Sequence, residues 1–239
     1  MEGMSEQERA AGPLPRAVFW DMDGTLIDSE PYWHASEMEL ANSHGCRWTE
    51  DDGWRCSDTP VVQVASAMRK RGLDLPVERI QAMIEEGVAR RERERMPWIP
   101  GTVELLEALS RSGVPSVLVT SSPRSIAEAV VAHAPDDVFI GFTCGDDGLP
   151  MKPDPAPYLH AARMVGVGPG SMAGCVVLED SISGLEAAAA SGATTLAFTG
   201  ATPGAIPDGP QFASFDSYAG ITPQVLGEYA FRRQAGGQA

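Results

Sequence analysis

Residues 16–29, Arg-Ala-Val-Phe-Trp-Asp-Met-Asp-Gly-Thr-Leu-Ile-Asp-Ser, join a short apolar run to two acids and a glycine. The run from Ala17 to Trp20 predicts a buried strand, which places Asp21 and Asp23 on one side of the chain at the carboxyl end of that strand. Open α/β sheets bind their ligands at this edge. Two carboxylates there repel each other unless a cation joins them, and their oxygen atoms suit Mg²⁺.

Gly24 and Thr25 continue the segment. The glycine allows a sharp turn of the backbone, and the threonine hydroxyl with the nearby amides can contact anionic oxygens of a phosphate group. A polar turn that only ends the strand is the simpler interpretation, because Asp-Gly pairs are common in turns. The segment alone leaves both interpretations open.

A second β-rich run, Ser116–Thr120, ends in a cluster of hydroxyl groups. Thr120, Ser121 and Ser122 follow one another and could bind phosphate oxygens. A helix N-cap is the alternative, because serine and threonine are preferred at that position.

Two later segments add charge to the predicted site. Lys152 lies within Met151–Pro155, a stretch stiffened by prolines and followed by a helical pattern. The run from Cys175 is apolar and ends in the adjacent acids Glu179 and Asp180, before an alanine-rich helix. The alternatives are a solvated surface lysine and an acidic helix N-cap.

The four segments match in order and spacing the four motifs of the haloacid dehalogenase superfamily, which the chain resembles from about residue 16 to residue 198. Within that superfamily the chain is similar to the group with a subclass I cap that contains β-phosphoglucomutase and the sugar-phosphate phosphatases. The resemblance implies a Mg²⁺-dependent enzyme in which Asp21 is the nucleophile and Asp23 the general acid and base. It also assigns the motif-two hydroxyl to Thr120 and the motif-three lysine to Lys152.

The metal ligands implied by the resemblance are a carboxylate oxygen of Asp21, the backbone carbonyl of Asp23 and the carboxylate of Asp180. Glu179 either ligates the metal directly or acts from beside it. Contacts with the substrate phosphate are expected from Gly24, Thr25, Ser121 and Arg124.

The predicted fold class is α/β, a doubly wound parallel sheet of the Rossmann-like kind with an inserted helical cap. Residues 16–29 and 99–239 are expected to form the core domain and residues 30–98 the cap. Strands near 115–120, 138–142, 174–178 and 194–198 alternate with helical segments, and residues 1–15 are expected to be a flexible tail.

The length and composition favour a soluble enzyme of modest size, although the charge does not identify its substrate. The 239 residues carry a net charge of −15, which disfavours nucleic acid and anionic membranes as partners. The start of the chain lacks a secretion signal and no apolar stretch is long enough to span a bilayer, so a cytoplasmic protein with reduced cysteines is expected. A monomer or a weak homodimer is expected.

The predicted cap should select the substrate, because it can close over the phosphate site. Trp33, Trp54 and Arg55 are its candidate contacts for a sugar phosphate, although ordinary packing is the simpler interpretation of each. Residues 90–95 alternate arginine with glutamate, and this mixture of charges is typical of a solvated helix face.

A phosphomonoester hydrolase is the leading functional hypothesis, with a sugar or polyol phosphate as substrate. Trp33 stands where the mutase has a cap histidine, and Pro123 replaces a lysine that grips phosphate, although Arg124 beside it could compensate. These departures favour hydrolysis over the alternative of a phosphohexose mutase. A catalytically quiet protein that uses the fold to bind an anion is the alternative from another class.

Overall fold

The computed structural model describes residues 12–56, 59–201 and 209–236. Its strands form one parallel sheet and are, in chain order, β1 (Val18–Trp20), β2 (Ser116–Val119), β3 (Phe139–Thr143), β4 (Val176–Glu179), β5 (Thr194–Phe198) and β6 (Ala213–Phe215). The spatial order is β3-β2-β1-β4-β5-β6, so the direction of winding reverses between β1 and β4. Ligands of open α/β sheets bind at such a reversal point.

Helices cover both faces of this sheet. They are, in chain order, α1 (Glu30–Ser43), α2 (Glu50–Trp54), α3 (Val61–Lys70), α4 (Val77–Glu94), α5 (Thr102–Arg111), α6 (Arg124–His133), α7 (Ala156–Met164), α8 (Ile182–Ala190) and α9 (Pro223–Gly236). Val18 and Trp20 face a cluster that includes α5, α6 and α9, whereas Phe19 faces α7 and α8. The predicted doubly wound α/β fold is confirmed.

The four helices α1 to α4 form an insertion between β1 and α5, which we call the helical insertion (residues 30–94). Its interior is a separate hydrophobic cluster that includes Leu40, Met68 and Ile84. The short α2 has only five residues, too few to show helical periodicity in the sequence. A capping box between Thr49 and Asp52 begins it: each side chain accepts a hydrogen bond from the other residue's backbone N–H.

Two linkers join the helical insertion to the sheet, and they pair with each other. Ile27 forms an antiparallel bridge with Trp98. On either side of it, the Asp28 amide donates to the Pro97 carbonyl at 2.9 Å and the Ile99 amide donates to the Leu26 carbonyl at 3.1 Å. The chain therefore leaves and re-enters the sheet domain at adjacent points.

The predicted flexible tail needs a correction at its end. Residues 1–11 lie outside the described residues, but residues 12–14 pack along α9. A Cβ atom on Gly227 would lie 1.8 Å from the Pro13 carbonyl oxygen, so only glycine permits this close approach. Within the described residues, no helix has the length and apolar character needed to cross a membrane.

Candidate active site

The turn after β1 brings the chain against the end of β4. The Met22 carbonyl accepts hydrogen bonds from the amides of Thr25, Leu26 and Ile27 at 2.9 to 3.3 Å, which closes a tight turn around Gly24. Gly24 has a φ of +79°, and a Cβ atom there would lie 2.0 Å from Asp180 Oδ2. Both the backbone conformation and the close approach therefore require glycine.

A buried lysine links the acids of the first and fourth motifs. Lys152 Nζ donates to Asp21 Oδ1 at 2.6 Å, to Glu179 Oε1 at 2.7 Å and to the Val119 carbonyl at 2.9 Å. Burial alone would lower the pKa of Lys152, but the charges of Asp21 and Glu179 raise it above its usual value. The pKa of Asp21 is raised to about 7 by burial and by the charge of Glu179, although Lys152 opposes both effects.

Glu179 is fully buried, and both of its oxygens are engaged by donors. Oε1 accepts from Lys152 and from the Tyr158 hydroxyl, each at 2.7 Å. Oε2 accepts from the Asp180 amide at 3.0 Å and from the amide and hydroxyl of Ser181, both at 3.1 Å. Burial, followed by the charge of Glu179, raises the pKa of Tyr158 well above its usual value, so the tyrosine stays a donor.

The acids form a group that fits a divalent cation. One oxygen each from Asp21, Glu179 and Asp180 lies within 4.8 Å of the others. The Thr25 hydroxyl donates to Asp180 Oδ1 at 2.9 Å and orients that carboxylate. Three buried carboxyl groups around one lysine suit a hard cation with oxygen ligands, because buried acids need compensating charge.

Asp23 is held by donors from three parts of the chain. Trp33 Nε1 in α1 donates to Asp23 Oδ1 at 3.3 Å, and the Ser29 hydroxyl donates to the same oxygen. The Ser122 hydroxyl, in the loop after β2, donates to Oδ2 at 2.7 Å. A side chain of the helical insertion is thus hydrogen-bonded to the predicted general acid and base.

The hydroxyl residues that were predicted to contact phosphate have different surroundings. Thr120 is 5% exposed and lies at the end of β2, where its Oγ1 accepts from the Ser122 amide at 2.9 Å. Ser121 is exposed, and its contact with phosphate stays a prediction. The Thr25 hydroxyl, expected to contact phosphate, is instead directed at Asp180.

Arg124 is bound to two acids of the segment after β3, and its contact with phosphate stays a prediction. Its guanidinium donates to Asp147 Oδ1 at 2.5 Å and lies 5.1 Å from the centre of the Phe142 ring. Its backbone amide donates to Asp146. The suggestion that Arg124 replaces a phosphate-gripping lysine would require this ion pair to break.

The order of these motifs along the sheet agrees with a family match. The family described as haloacid dehalogenase-like hydrolase matches residues 15–192. The chain belongs to this family. The predicted enzyme class, a hydrolase of the phosphatase kind, is confirmed at the level of this family.

Curated relatives of this hydrolase include two named phosphatases. The phosphorylated carbohydrates phosphatase of Thermotoga maritima is 32% identical over 178 residues, which cover 74% of this chain and 81% of the relative. Hexitol phosphatase A of Escherichia coli K12 is 28% identical over 186 residues, covering 76% and 82%. The crystal structure of CbbY from Rhodobacter sphaeroides with phosphate superposes with a TM-score of 0.74 at 24% identity, covering 87% of this chain and 96% of CbbY, and so shares the fold.

The cap residues singled out from the sequence have different surroundings in the hydrolase. Trp33 reaches Asp23, as described above. Trp54 is 42% exposed and packs edge-on against the His34 ring, with 4.5 Å between ring centres. Arg55 is exposed and pairs with Asp52. Of these three, only Trp33 has a hydrogen bond to a catalytic carboxylate among the described residues.

Glu92 corrects the interpretation of residues 90–95 as a solvated helix face. It is 0% exposed, in the last turn of α4, while Glu94 beside it is exposed. Neither carboxylate oxygen of Glu92 has a hydrogen-bond partner among the residues that the structure describes. Burial and the nearby charge of Asp23 raise the pKa of Glu92 to about 8.

Sequence reasoning therefore missed several residues that support the site of this hydrolase. Ser122 was named only as a member of a hydroxyl cluster, and Tyr158 gave no signal beyond its place in a helical pattern. Glu92 could have been found by its position four residues after Val88, since residues at that spacing share one helix face.

Proposed function

We propose that this hydrolase is a Mg²⁺-dependent phosphomonoester hydrolase acting on a sugar or polyol phosphate through an aspartyl-phosphate intermediate. The observation that carries the proposal is the pairing of Asp21 with buried Lys152 beside Asp180. The phosphatases of carbohydrate and hexitol phosphates among its relatives support the substrate class. A cytoplasmic location, expected from the sequence, is part of the same proposal.

The residues that would hold Mg²⁺ are Asp21 and Asp180, through their carboxylates, and Asp23, through its backbone carbonyl. When bound, the ion supplies positive charge to the oxygens of the transferring phosphoryl group. Glu179 lies in the same acidic group, but its oxygens already accept five hydrogen bonds. We therefore assign Glu179 to orienting Lys152 instead of ligating the metal.

In the first half of the reaction, an Asp21 oxygen attacks phosphorus and the bond from phosphorus to the ester oxygen breaks. Asp23 gives its proton to the departing alkoxide, and Lys152 keeps Asp21 in place. In the second half, water attacks the same phosphorus while Asp23 takes its proton. The bond between phosphorus and Asp21 breaks, which releases inorganic phosphate and restores both aspartates.

The helical insertion fits the role of a cap over this site. Trp33 on α1 donates to Asp23, and α4 packs against α6 of the sheet domain. Closure of such a module excludes water until the leaving group is in place. We propose residues 30–98 as the cap domain on this basis.

The test is phosphate release from a panel of sugar, polyol, nucleotide and amino-acid phosphates, with and without Mg²⁺. Release from a narrow set that requires Mg²⁺ is expected. Asp21→Asn should lower turnover by at least about 10³-fold, because removing a nucleophile removes the covalent route. Circular dichroism should show that this variant remains folded.

The two alternatives predict other outcomes of the same assay. A phosphohexose mutase would release little phosphate and would interconvert hexose phosphates in the presence of a bisphosphate activator. A quiet anion-binding protein would show neither reaction. Unchanged phosphate release by Asp21→Asn would exclude Asp21 as the nucleophile.

A further inference from the structure

The last turns of α4 carry an acid into the junction between the helical insertion and the sheet domain. Val88 and Ala89 belong to the same hydrophobic cluster as Leu26 and Ile27, which follow the catalytic turn. Glu92 lies four residues after Val88 and three after Ala89, so it shares their inward face. Its carboxyl group is thereby placed close enough to Asp23 for the two charges to interact.

This placement is unfavourable for the free protein. Burying a carboxyl group without a hydrogen bond costs stability, and burial of its charged form costs more. Both Glu92 oxygens are buried without a partner among the described residues, while Arg91 on one side pairs with Glu39 and Arg93 on the other is exposed. Proteins keep such groups where they serve a function, since apolar replacements are otherwise easy to accept.

We propose that Glu92 is a substrate-binding residue whose carboxyl group hydrogen-bonds a hydroxyl group of the leaving group, and that it selects uncharged, polyhydroxylated leaving groups. The inference rests on the proposed phosphatase function. Asp23 must lie beside the ester oxygen to give it a proton, and Glu92 lies on the inward face of the helix that packs on the sheet domain beside it. A substrate hydroxyl supplies the donor that the protein lacks at Glu92.

The charges around Glu92 disfavour a second anionic group on the substrate. Such a group would lie near two acids, Asp23 and Glu92. The arginines of the insertion for which the structure shows partners are committed elsewhere: Arg71 pairs with Asp52, and Arg90 and Arg91 pair with Glu39. Exposed Arg93 is the cation whose charge acts on Glu92, so a carboxylate or a second phosphate would meet two acids and one solvent-exposed arginine, whereas a polyol needs no cation.

Glu92 is enclosed in this conformation, so the substrate enters when α4 separates from the sheet domain. Closure then brings the carboxyl group back against the bound leaving group. Recognition and exclusion of water therefore depend on the same helix.

The test compares kcat/KM for three kinds of ester: hydroxyl-bearing phosphates such as sorbitol 6-phosphate, the anionic 2-phosphoglycolate, and p-nitrophenyl phosphate, whose leaving group has no hydroxyl. The variants are Glu92→Leu and the isosteric Glu92→Gln. Exposed Glu94 on the same helix gives the matched control, Glu94→Gln, which should keep wild-type values.

We expect Glu92→Leu to lower kcat/KM for the best hydroxyl-bearing substrate at least tenfold more than it lowers kcat/KM for p-nitrophenyl phosphate. The loss should be smaller for Glu92→Gln, because an amide still bonds a hydroxyl group. Discrimination against 2-phosphoglycolate should weaken in both variants. If Glu92→Leu fails to fold, the same ratios in Glu92→Gln decide the question.

Two results would overturn the inference while leaving the phosphatase intact. In the first, the variants are more stable than the wild type but the ratio of their kcat/KM values for the three esters is unchanged. That result would make Glu92 a packing residue. The second is a wild-type preference for 2-phosphoglycolate. No Mg²⁺-dependent release from any ester would instead overturn the proposed function, and the inference with it.

Discussion

Glu179 and Glu92 are both fully buried near the aspartates of the candidate site, yet their surroundings are opposite. Glu179 accepts five hydrogen bonds, including those from Lys152 and Tyr158. Glu92 has no hydrogen-bond partner within the described part of the chain. The saturated carboxylate fixes its neighbours, whereas the unsatisfied one is the group that we propose binds a ligand.

Glu179→Gln should give the largest effect on stability. An amide offers one acceptor oxygen, and its NH₂ group would face donors that now point at a carboxylate. Breaking a buried charge pair costs about 3–5 kcal/mol, so the free energy of unfolding should fall by that order. Urea unfolding measures the change, and kcat should fall as well because Lys152 loses its anchor. If Glu179→Gln unfolds at the same urea concentration as the wild type, the donors rearrange around the amide. The hydrogen bonds of Glu179 would then not distinguish it from Glu92 in stability.

Thr25→Val should mainly affect metal binding. The valine keeps the shape of Thr25 but removes the hydrogen bond that orients Asp180. Groups that orient metal ligands typically contribute about 10- to 100-fold to metal affinity. The Mg²⁺ concentration for half-maximal activity should rise by that factor, and calorimetric Mg²⁺ titration should report the same weakening. If the Mg²⁺ titration curves of the variant and the wild type are identical, either Asp180 does not bind the metal or Thr25 does not orient Asp180.

Tyr158→Phe should sharpen the comparison by removing one of the five donors to Glu179. A hydrogen bond to a charged group contributes about 1.5–3 kcal/mol, so the loss of stability should be smaller than for Glu179→Gln. The double variant tests the coupling: if Tyr158 acts through Glu179, the two effects will not add. Additive effects would assign Tyr158 to packing alone.

Glu92→Gln is expected to change stability in the opposite direction, by an amount that grows with pH. Because the pKa of Glu92 is raised from 4.5 to about 8, the unfolded chain loses this proton between those pH values while the folded chain keeps it. The free energy of unfolding then falls as pH rises, by up to about 1.4 kcal/mol per pH unit for this group. The variant lacks this dependence, so its stability relative to the wild type should grow between about pH 5 and pH 8.

Urea unfolding at several pH values measures that difference. Glu37, whose pKa burial raises to about 7, contributes to the wild-type curve but cancels between the two proteins. Glu94→Gln provides the matched control and should follow the wild type. A stability difference that stays constant across this range would mean that Glu92 titrates normally.

The fold and the centre of the site could be predicted because their signals are local. Each of the acids Asp21, Asp23 and Asp180 follows an apolar strand, and parallel strands bring their carboxyl ends to one edge. Lys152 could be placed only through the family resemblance, since its pairing with Asp21 spans 131 residues. The metal, the intermediate and the role of each site residue stay predictions.

The missed features depend on tertiary contacts. Glu92 and Glu94 look alike in an alternating run, and only the packing of α4 on the sheet domain separates the buried acid from the exposed one. Arg124 stands next to the motif-two hydroxyls in sequence, but Asp147 in the loop after β3 holds its side chain. The tail at residues 12–14 becomes ordered because Gly227 in α9 leaves room for it.

The paired linkers make the helical insertion an exchangeable unit. Because Ile27 and Trp98 are bridged, the sheet domain closes on itself at the point where the insertion begins and ends. A chimera that takes a relative's helices between these two residues keeps the same attachment geometry, and its new interior is buried in a cluster of its own, as in the present insertion. On the proposed function, splicing at this two-stranded joint would transplant substrate choice, while the proposed aspartate chemistry would stay with the recipient.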